Sequence, residues 1–190
     1  TVVLTAPANN TWDIDGNVQM SYTLTDNNPS ACQLYKNDSG TWILNQTDST
    51  PISGTNSFNV TPLRDGHFIW NVFCNDSAGF SDWGGSTISL NENFTIKVDT
   101  QPPKLNFTGP TPSNDTNTTL TTITINVTYQ ENNSDTIIFD FNGTLRIKSY
   151  TASENFTNET YTNLQGVYRF NVTINDSAGQ INKTETRIVR

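Results

Sequence analysis

Residues 70–79 read WNVFCNDSAG, and residues 170–179 read FNVTINDSAG. In both stretches apolar side chains recur at every second position, and the run ends in an Asp-Ser-Ala-Gly turn. Because successive side chains of a β-strand point to opposite faces, this alternation predicts a half-buried strand that is followed by a tight turn. The two copies begin one hundred residues apart. We therefore predict two similar domains rather than one large one.

Other segments repeat at a similar spacing. Residues 18–28 match residues 123–133, and residues 2–7 match residues 105–110. The alternation predicts seven strands in the first domain, at 2–6, 18–25, 31–36, 41–45, 57–61, 67–74 and 93–98. It predicts seven in the second, at 104–108, 121–130, 136–141, 144–149, 155–161, 167–174 and 183–189. About seven short strands in about a hundred residues are typical of an immunoglobulin-like sandwich. The predicted fold class is all-β, with two tandem immunoglobulin-like β-sandwich domains.

The boundary between the domains is marked by residues 98–103, which read VDTQPP. Two consecutive prolines fix the backbone angle φ and favour an extended, semi-rigid joint. We predict a first domain at 1–99, a Pro-Pro joint at 100–103 and a second domain at 104–190.

This combination of motifs resembles the tandem immunoglobulin-like repeats of prokaryotic, particularly archaeal, extracellular surface glycoproteins and filaments. In those repeats a penultimate strand ends in an Asp-Ser-Ala-Gly type turn, and the last strand runs into a Val-Asp-Thr-x-Pro-Pro joint. The turn occurs here at 76–79 and again at 176–179, and the joint occurs at 98–103. The resemblance covers the whole chain and implies an extracellular or cell-surface protein.

Glycosylation signals are unusually dense. Of the 26 asparagines, 17 begin an Asn-x-Ser/Thr triplet without proline in the middle, whereas roughly six would arise by chance from the Ser and Thr content. The predicted N-glycan sites are Asn9, Asn37, Asn45, Asn59, Asn75, Asn93, Asn106, Asn114, Asn117, Asn126, Asn132, Asn142, Asn155, Asn158, Asn171, Asn175 and Asn182. Where these triplets lie in predicted strands, we expect the asparagine to face solvent. The alternative is that the triplets are a by-product of a composition rich in Asn and Thr, in which case they would be scattered over both faces of the strands.

Cys32 and Cys74 are the two cysteines of the chain. In an extracellular protein they are expected to form a disulfide, here between neighbouring strands of the first domain. The repeat alignment places Ile137 and Ile174 at the same positions of the second domain. Such a bond would depart from the antibody pattern.

Charge and hydropathy exclude several classes of protein. Lys and Arg together number 10 against 18 Asp and Glu, a net charge of −8, so the basic surface of a nucleic-acid binder is missing. There is no apolar run of the roughly 20 residues that a membrane span needs, so we expect no direct membrane insertion. Because no charged-then-apolar leader is found at the start, we expect a mature or excised chain.

The search for catalytic chemistry finds too few parts. His67 is the sole histidine, so a histidine-centred triad or zinc site is not expected, and we predict that the protein is not an enzyme. We expect no cofactor apart from covalent glycans. Asp13 and Asp15, with Gly16 after them, are weak candidates for a calcium site, the alternative being a polar turn. Asp99 at the joint could also join a linker ion.

Two groups of residues are candidates for contacts with a partner. Phe80 and Trp83 lie in what we interpret as an insertion that the second domain lacks, where they would contact a partner subunit or a sugar, or pack over their own domain. The terminal segments offer Val2, Val3, Leu4, Arg187, Ile188 and Arg190. Residues 1–100 carry 10 acidic against 3 basic residues and residues 101–190 carry 8 against 7, which favours head-to-tail contact between copies.

Our lead hypothesis is a non-enzymatic structural subunit of an extracellular, heavily N-glycosylated filament. It would assemble head-to-tail from copies of itself, with strand addition between subunits as one means. The first alternative is a stalk or lattice module of a surface-layer glycoprotein or adhesin. The second is a carbohydrate-binding module that uses Trp83 and Phe80.

Overall fold

The computed structural model of the protein describes residues 1–38, 40–86 and 92–190. The chain separates into two compact units, Thr1–Thr100 and Gln101–Arg190. No helix within the described residues is long and apolar enough to cross a membrane. Each unit is built from β-strands that enclose a core of its own.

The first unit is a sandwich of two sheets. Its described strands are β1 (Val2–Ala6), β2 (Thr11–Asp13), β3 (Val18–Leu24), β4 (Pro29–Asp38), β5 (Thr41–Asp48), β6 (Gly54–Val60), β7 (Gly66–Asp76), β8 (Ser81–Trp83) and β9 (Phe94–Val98). One sheet has the order β1-β3-β6, and the other has the order β2-β9-β7-β4-β5, with β8 also paired to β7. Alternate residues of the two sheets fill the core, including Met20, Tyr22, Leu34, Trp70 and Ile96. This burial of alternate side chains is the pattern that the sequence predicts.

The second unit repeats this arrangement. Its strands are β10 (Lys104–Thr108), β11 (Ile123–Gln130), β12 (Ser134–Phe141), β13 (Thr144–Ser149), β14 (Phe156–Tyr161), β15 (Tyr168–Asp176), β16 (Ile181–Lys183) and β17 (Arg187–Val189). One sheet has the order β10-β11-β14, and the other has the order β13-β12-β15-β16, with β17 also paired to β15. The core includes Ile125, Ile137, Phe139, Phe170 and Ile174.

The Asp-Ser-Ala-Gly turn closes the same way in both units. The Oδ1 atom of Asp76 accepts the backbone N–H groups of Ala78 at 2.9 Å and Phe80 at 2.8 Å. In the second copy the Oδ1 atom of Asp176 accepts the N–H of Gln180 at 2.8 Å. Aspartate suits this turn because its short side chain can bond to backbone groups just after it. The turn sends the chain back along β7 or β15.

Every predicted strand overlaps an observed one, and the differences lie in short additions. No strand is predicted at β2 or β8, which have three residues each and are held by their pairing with β9 and β7. The predicted strand at 183–189 is wrong in extent, because it is divided into β16 and β17. Segments of three residues are too short for a period of two to stand out from chance.

An ion-pair network joins the two sheets of the second unit at one edge. Glu159 of β14 lies 2.6 Å from Arg146 and 2.8 Å from Lys148 of β13. Burial acts to raise the pKa of Glu159, but the hydrogen bonds and charges of Lys148 and Arg146 outweigh it and hold this pKa below its ordinary value. The Arg146 guanidinium also lies over the Tyr161 ring, 4.5 Å from its centre. The network therefore fastens β13 to β14 where no backbone pairing joins them.

Candidate functional site

The predicted glycosylation sites are spread over both units, and most face solvent. The side chains are exposed at Asn9, Asn45, Asn59, Asn93, Asn106, Asn114, Asn117, Asn132, Asn142, Asn155 and Asn158. They are half-buried at Asn37, Asn75, Asn175 and Asn182. The triplet that begins at Asn37 ends at Ser39, which lies outside the described residues. Attachment of a sugar at the exposed positions would leave both cores undisturbed.

The expectation that these asparagines face solvent in every strand is wrong at Asn126. This residue of β11 is 8% exposed, because the loop after β10 covers the outer face of the strand. Its Nδ2 donates to the Gly109 carbonyl at 2.9 Å, and Thr111 Oγ1 accepts its backbone N–H at 2.7 Å. An N-glycan is joined through Nδ2, so the folded unit blocks attachment here.

The same expectation is wrong at Asn171 of β15, which is 7% exposed. The segment between β16 and β17 runs beside this strand, and its Thr186 Oγ1 accepts a hydrogen bond from Asn171 Nδ2 at 3.5 Å. The Val172 N–H donates to Thr184 Oγ1 at 2.9 Å, and the Thr184 N–H donates to the Val172 carbonyl at 2.9 Å. Because this neighbouring segment accepts a hydrogen bond from Nδ2, the atom that a glycan would use, we do not expect a glycan at Asn171 in the folded protein.

The predicted disulfide is confirmed. Cys32 and Cys74 are bonded, with Cα atoms 4.1 Å apart, and they lie directly opposite each other on β4 and β7. The bond thus joins two neighbouring strands of one sheet, whereas the antibody bond joins two sheets. Cys32 and Cys74 are 0% and 4% exposed, which makes the pair part of the core.

Four aromatic rings gather on the outer face of the larger sheet of the first unit. We call this group, Tyr35, Trp42, Phe73 and Trp83, the aromatic surface. Trp83 has its ring centre 5.0 Å from that of Phe73, 5.2 Å from that of Tyr35 and 6.2 Å from that of Trp42. Tyr35 and Trp42 are stacked at 6.2 Å. Since Trp42 remains 40% exposed, these rings do not belong to the core.

A buried amide fixes one side of this surface. Asn71 of β7 is 1% exposed, and its Nδ2 donates to the Gly84 carbonyl at 3.1 Å and to Asn93 Oδ1 at 2.8 Å. Its own Oδ1 accepts the Val72 N–H at 2.7 Å. Trp42, Asn71, Trp83 and Asn93 line a shallow pocket of about 260 Å³. Asn93, which begins a sequon, thus forms part of the wall of a pocket that two tryptophan rings also line.

The interpretation that Phe80 and Trp83 lie in an insertion is wrong. Trp83 is opposite Phe73 on β8, and Lys183 is opposite Thr173 on β16 in the same register. The extra residues of the first unit come after β8, between residues 84 and 93, of which 87–91 lie outside the described residues. Phe80, 76% exposed, lies in the turn before β8 and, within the described part of the chain, is not one of the rings packed around Trp83.

The first strand is bonded on both sides within its own unit. β1 pairs with β3, and on the other side the Leu4 N–H donates to the Gly85 carbonyl at 2.8 Å. Val2 and Leu4 are 1% and 3% exposed because they face the core, while Val3 points outward and is half-buried. The prediction that the side chains of Val2 and Leu4 contact a neighbouring subunit is therefore wrong.

The last strand is also bonded on both sides. β17 pairs with β15, and along its other edge the Asp115 N–H donates to the Ile188 carbonyl at 2.8 Å and the Arg190 N–H donates to the Thr116 carbonyl at 2.9 Å. Strand addition at β17 is therefore not open to a neighbour, which corrects that expectation. Arg187 and Ile188 are half-buried and Arg190 is exposed, and their contact with another subunit stays a prediction.

The carboxylates of the weak calcium candidate bond to their own turn. Asp13 Oδ1 accepts the Gly16 N–H at 2.6 Å, and Asp15 Oδ1 accepts the Asn17 N–H at 2.8 Å. Among the described residues, no group of three potential metal ligands includes Asp13 or Asp15. The turn itself accounts for both carboxylates. Asp99, 3% exposed, donates its N–H to the Asp13 carbonyl at 2.9 Å, and a linker ion there stays a prediction.

Comparison with solved structures bears on the fold. No protein-family model and no curated protein matches the chain. A marsupial T cell receptor covers 100% of this chain and 73% of its own length, with a TM-score of 0.56 at 12% identity. Fibronectin(III)-like modules of Clostridium thermocellum CbhA cover 100% of this chain and 93% of their own length, with a TM-score of 0.47 at 13% identity. A bacterial ice-binding adhesin covers 99% of this chain and 63% of its own length, with a TM-score of 0.40 at 16% identity. The chain is a tandem pair of immunoglobulin-like domains.

Three residues of the aromatic surface are not among the candidates predicted from the sequence. Tyr35, Trp42 and Phe73 are contributed by β4, β5 and β7, and the sequence alone does not show that these strands are adjacent. Their positions carried one usable signal, since Tyr35 and Phe73 occupy the outward register of strands whose inward residues are apolar. At identities below one in five residues, the comparisons add nothing about what the surface binds.

Proposed function

We propose that these two domains form a non-enzymatic structural module of an extracellular, N-glycosylated filament made of copies of this chain. The observation that carries the proposal is the dense cover of exposed sequon asparagines on both domains. Only a protein that passes through a secretory route receives N-glycans. The Cys32–Cys74 disulfide supports the same location, because such bonds persist in oxidising, extracellular compartments.

A head-to-tail contact between copies is supported by surfaces at two ends. In the first domain, Asp26, Asp76 and Asp82 line a pocket of about 220 Å³ beside the start of β1. In the second domain, a pocket of about 330 Å³ at the end of β17 is lined by apolar and basic residues that include Leu120, Val167 and Arg190. Leu120 is 69% and Val167 56% exposed. A contact between two different surfaces produces an open filament when its rotation does not close a ring.

The resemblance to archaeal surface glycoproteins and filaments belongs to this proposal. It rests on the turn motif at 76–79 and 176–179 and on the joint at 98–103. A stalk or lattice module of a surface-layer glycoprotein or adhesin would use the same domains and the same glycans. The two versions differ in whether identical copies join end to end.

Electron microscopy of natively purified protein, with intact mass from the same sample, tests the proposal. We expect fibres with a regular axial repeat and a mass well above the polypeptide mass of 21.1 kDa. The double variant Leu120→Asp/Val167→Asp should lose the fibres, while Leu145→Asp/Ile147→Asp, which changes equally exposed apolar residues of β13, should keep them. Monodisperse particles at the polypeptide mass would overturn both the polymer and the glycan cover.

A second candidate function is carbohydrate binding, which the aromatic surface favours. Aromatic faces stack on the apolar faces of sugar rings and bury them from water. Binding of a defined oligosaccharide to the aglycosylated protein, and its loss in Trp42→Ala, would establish this function. A glycan array without a hit would remove it. A broad hydrolase screen is the matching test of the non-enzymatic part of the proposal, and turnover of any substrate would refute that part.

A further inference from the structure

The aromatic surface needs a reason to exist on the outside of a sheet. Tyr35, Trp42, Phe73 and Trp83 have ring centres within 6.2 Å of a neighbour, and the larger faces of such rings cost free energy when they stay in contact with water. The core on the other side of the sheet is already filled by Leu34, Trp70 and Val72. Packing of the domain therefore does not explain four outward rings.

Asn93 stands at the edge of these rings in a fixed orientation. It is exposed and begins the triplet Asn93-Phe94-Thr95, and it lines the pocket together with Trp42 and Trp83. Its Oδ1 accepts the hydrogen bond from the buried Asn71 amide at 2.8 Å. Because Oδ1 is held in this way, Nδ2 points away from Asn71 and is left for attachment of a sugar. A glycan on Nδ2 therefore begins inside the rim of the pocket.

The second domain lacks both features at once. The register places Thr173 and Lys183 where the first domain has Phe73 and Trp83. Thr186 occupies the place of Asn93, because it lies one residue before Arg187, which pairs with Phe170 as Phe94 pairs with Trp70. Thr186 Oγ1 accepts a hydrogen bond from Asn171 Nδ2 at 3.5 Å, but Thr186 begins no sequon. The rings and the sequon occur together in one domain and are replaced together in the other.

We propose that the glycan attached at Asn93 folds back onto the aromatic surface, with its first sugar rings stacked on Trp42 and Trp83. The axial C–H groups of a pyranose ring are weakly positive and apolar, and an aromatic face is negative, so the two attract and exclude water. The pocket of about 260 Å³ lies below the ~300–1,000 Å³ of drug-sized ligand sites and suits one sugar ring rather than an oligosaccharide. This inference rests on the proposed glycosylation of the chain.

Asn37 also lies on this side of the sheet, opposite Trp42, and it provides a comparison. Its Oδ1 accepts the Ile69 N–H at 2.6 Å, so its amide is also fixed. It does not line the pocket among the described residues. The geometry therefore favours Asn93 as the point from which a sugar reaches the rings.

Nuclear magnetic resonance of the full natively glycosylated chain, with ¹³C-labelled sugars, tests the proposal. Sugar protons that lie over an aromatic face are shifted upfield by the ring current. We expect such shifts in the wild-type protein and their loss in Trp42→Ala. Thr95→Ala removes the sequon but keeps the Asn93 side chain and its bond to Asn71. In that variant we expect the shifts to vanish and acrylamide to quench tryptophan fluorescence more strongly.

The matched control is Asn59→Gln, which removes an exposed sequon from β6 in the other sheet of the same domain. It should leave the shifts and the quenching unchanged. Trp42→Tyr keeps a ring at the site and should retain part of the shifts, which guards against misfolding of Trp42→Ala.

Glycopeptide mass spectrometry distinguishes a failure of this inference from a failure of the proposed function. Occupied sequons elsewhere with an empty Asn93 would overturn this inference and leave the proposed function standing. Empty sequons throughout would overturn both. An occupied Asn93 without upfield-shifted sugar protons would also overturn the inference. So would binding of a soluble sugar to these rings in wild-type protein that carries the glycan at Asn93, because the rings would then be free.

Discussion

Ile137 and Ile174 lie directly opposite each other on β12 and β15, in the same register positions that Cys32 and Cys74 hold on β4 and β7. Both isoleucines are fully buried. One cross-strand position at the centre of the sheet is therefore filled by a covalent bond in the first domain and by aliphatic packing in the second. The two domains solve the same packing problem with different chemistry.

Removal of the disulfide should destabilise the first domain alone. The bond closes a loop of sequence separation 42, and its loss should lower the free energy of unfolding by about 3–4 kcal/mol, largely because the unfolded chain gains freedom. The measurement is denaturant unfolding of Cys32→Ala/Cys74→Ala against wild type, followed by tryptophan fluorescence, since all four tryptophans lie in the first domain. Cys32→Ile/Cys74→Ile should recover part of the loss, and an equal loss in both variants would contradict the packing argument.

Acid should weaken the second domain through Glu159. Burial raises the pKa of this carboxyl, but the opposite effect of the Lys148 and Arg146 partners is larger. The pKa of Glu159 in the folded protein therefore lies below its value in the unfolded chain. Its contribution to stability is then present above the unfolded pKa and is lost as the pH falls through the folded pKa. The Glu159→Gln variant should be less stable than wild type at neutral pH, and its stability should fall less than that of wild type between neutral pH and acid. Thermal unfolding across pH measures this, and Glu185→Gln, which changes the exposed carboxylate beside the half-buried Arg187, is the control that should lose little stability.

A methyl group at Gly84 should destabilise the first domain. A Cβ atom there would lie 2.6 Å from Leu4 Cδ2 and 2.7 Å from Asn71 Oδ1, and both neighbours are buried. Overpacking of this kind costs about 1–3 kcal/mol. Calorimetry of Gly84→Ala should therefore show a lower melting temperature. Gly109→Ala, where a Cβ atom would meet nothing within 4 Å, should melt like wild type, and equal stability of the two variants would refute the close approach.

Glycan occupancy should follow burial rather than sequence. Asn106 and Asn59 are exposed, whereas Asn126 and Asn171 are 8% and 7% exposed with their strands covered. Glycopeptide mapping of the native protein should find sugar at the first pair and none at the second. Sugar on most copies of Asn126 would mean that attachment precedes folding and that the strand is then covered differently.

The strands could be predicted because the alternation of apolar residues is local. β7 and β15 carry their pattern within ten residues, and the cores formed by Trp70 and Phe170 follow from it. The burial of Asn126 could not be predicted, because it depends on Thr111, fifteen residues earlier, lying across the strand. The aromatic surface joins Tyr35 to Trp83, 48 residues apart, and a period of two holds no information about which strands are neighbours.

The pairing of β1 and β9, the first and last strands of the first domain, has a mechanical consequence. In the first domain β1 starts beside the end of β3, with Val2 opposite Leu24, and β9 ends beside the start of β7, with Val98 opposite Gly66. Tension applied to the two ends of this domain runs along the strands and across their hydrogen bonds. Those bonds must then give way together in shear rather than one at a time like a zip. Under load, the lifetime of the domain is set by this concerted step and not by its equilibrium stability.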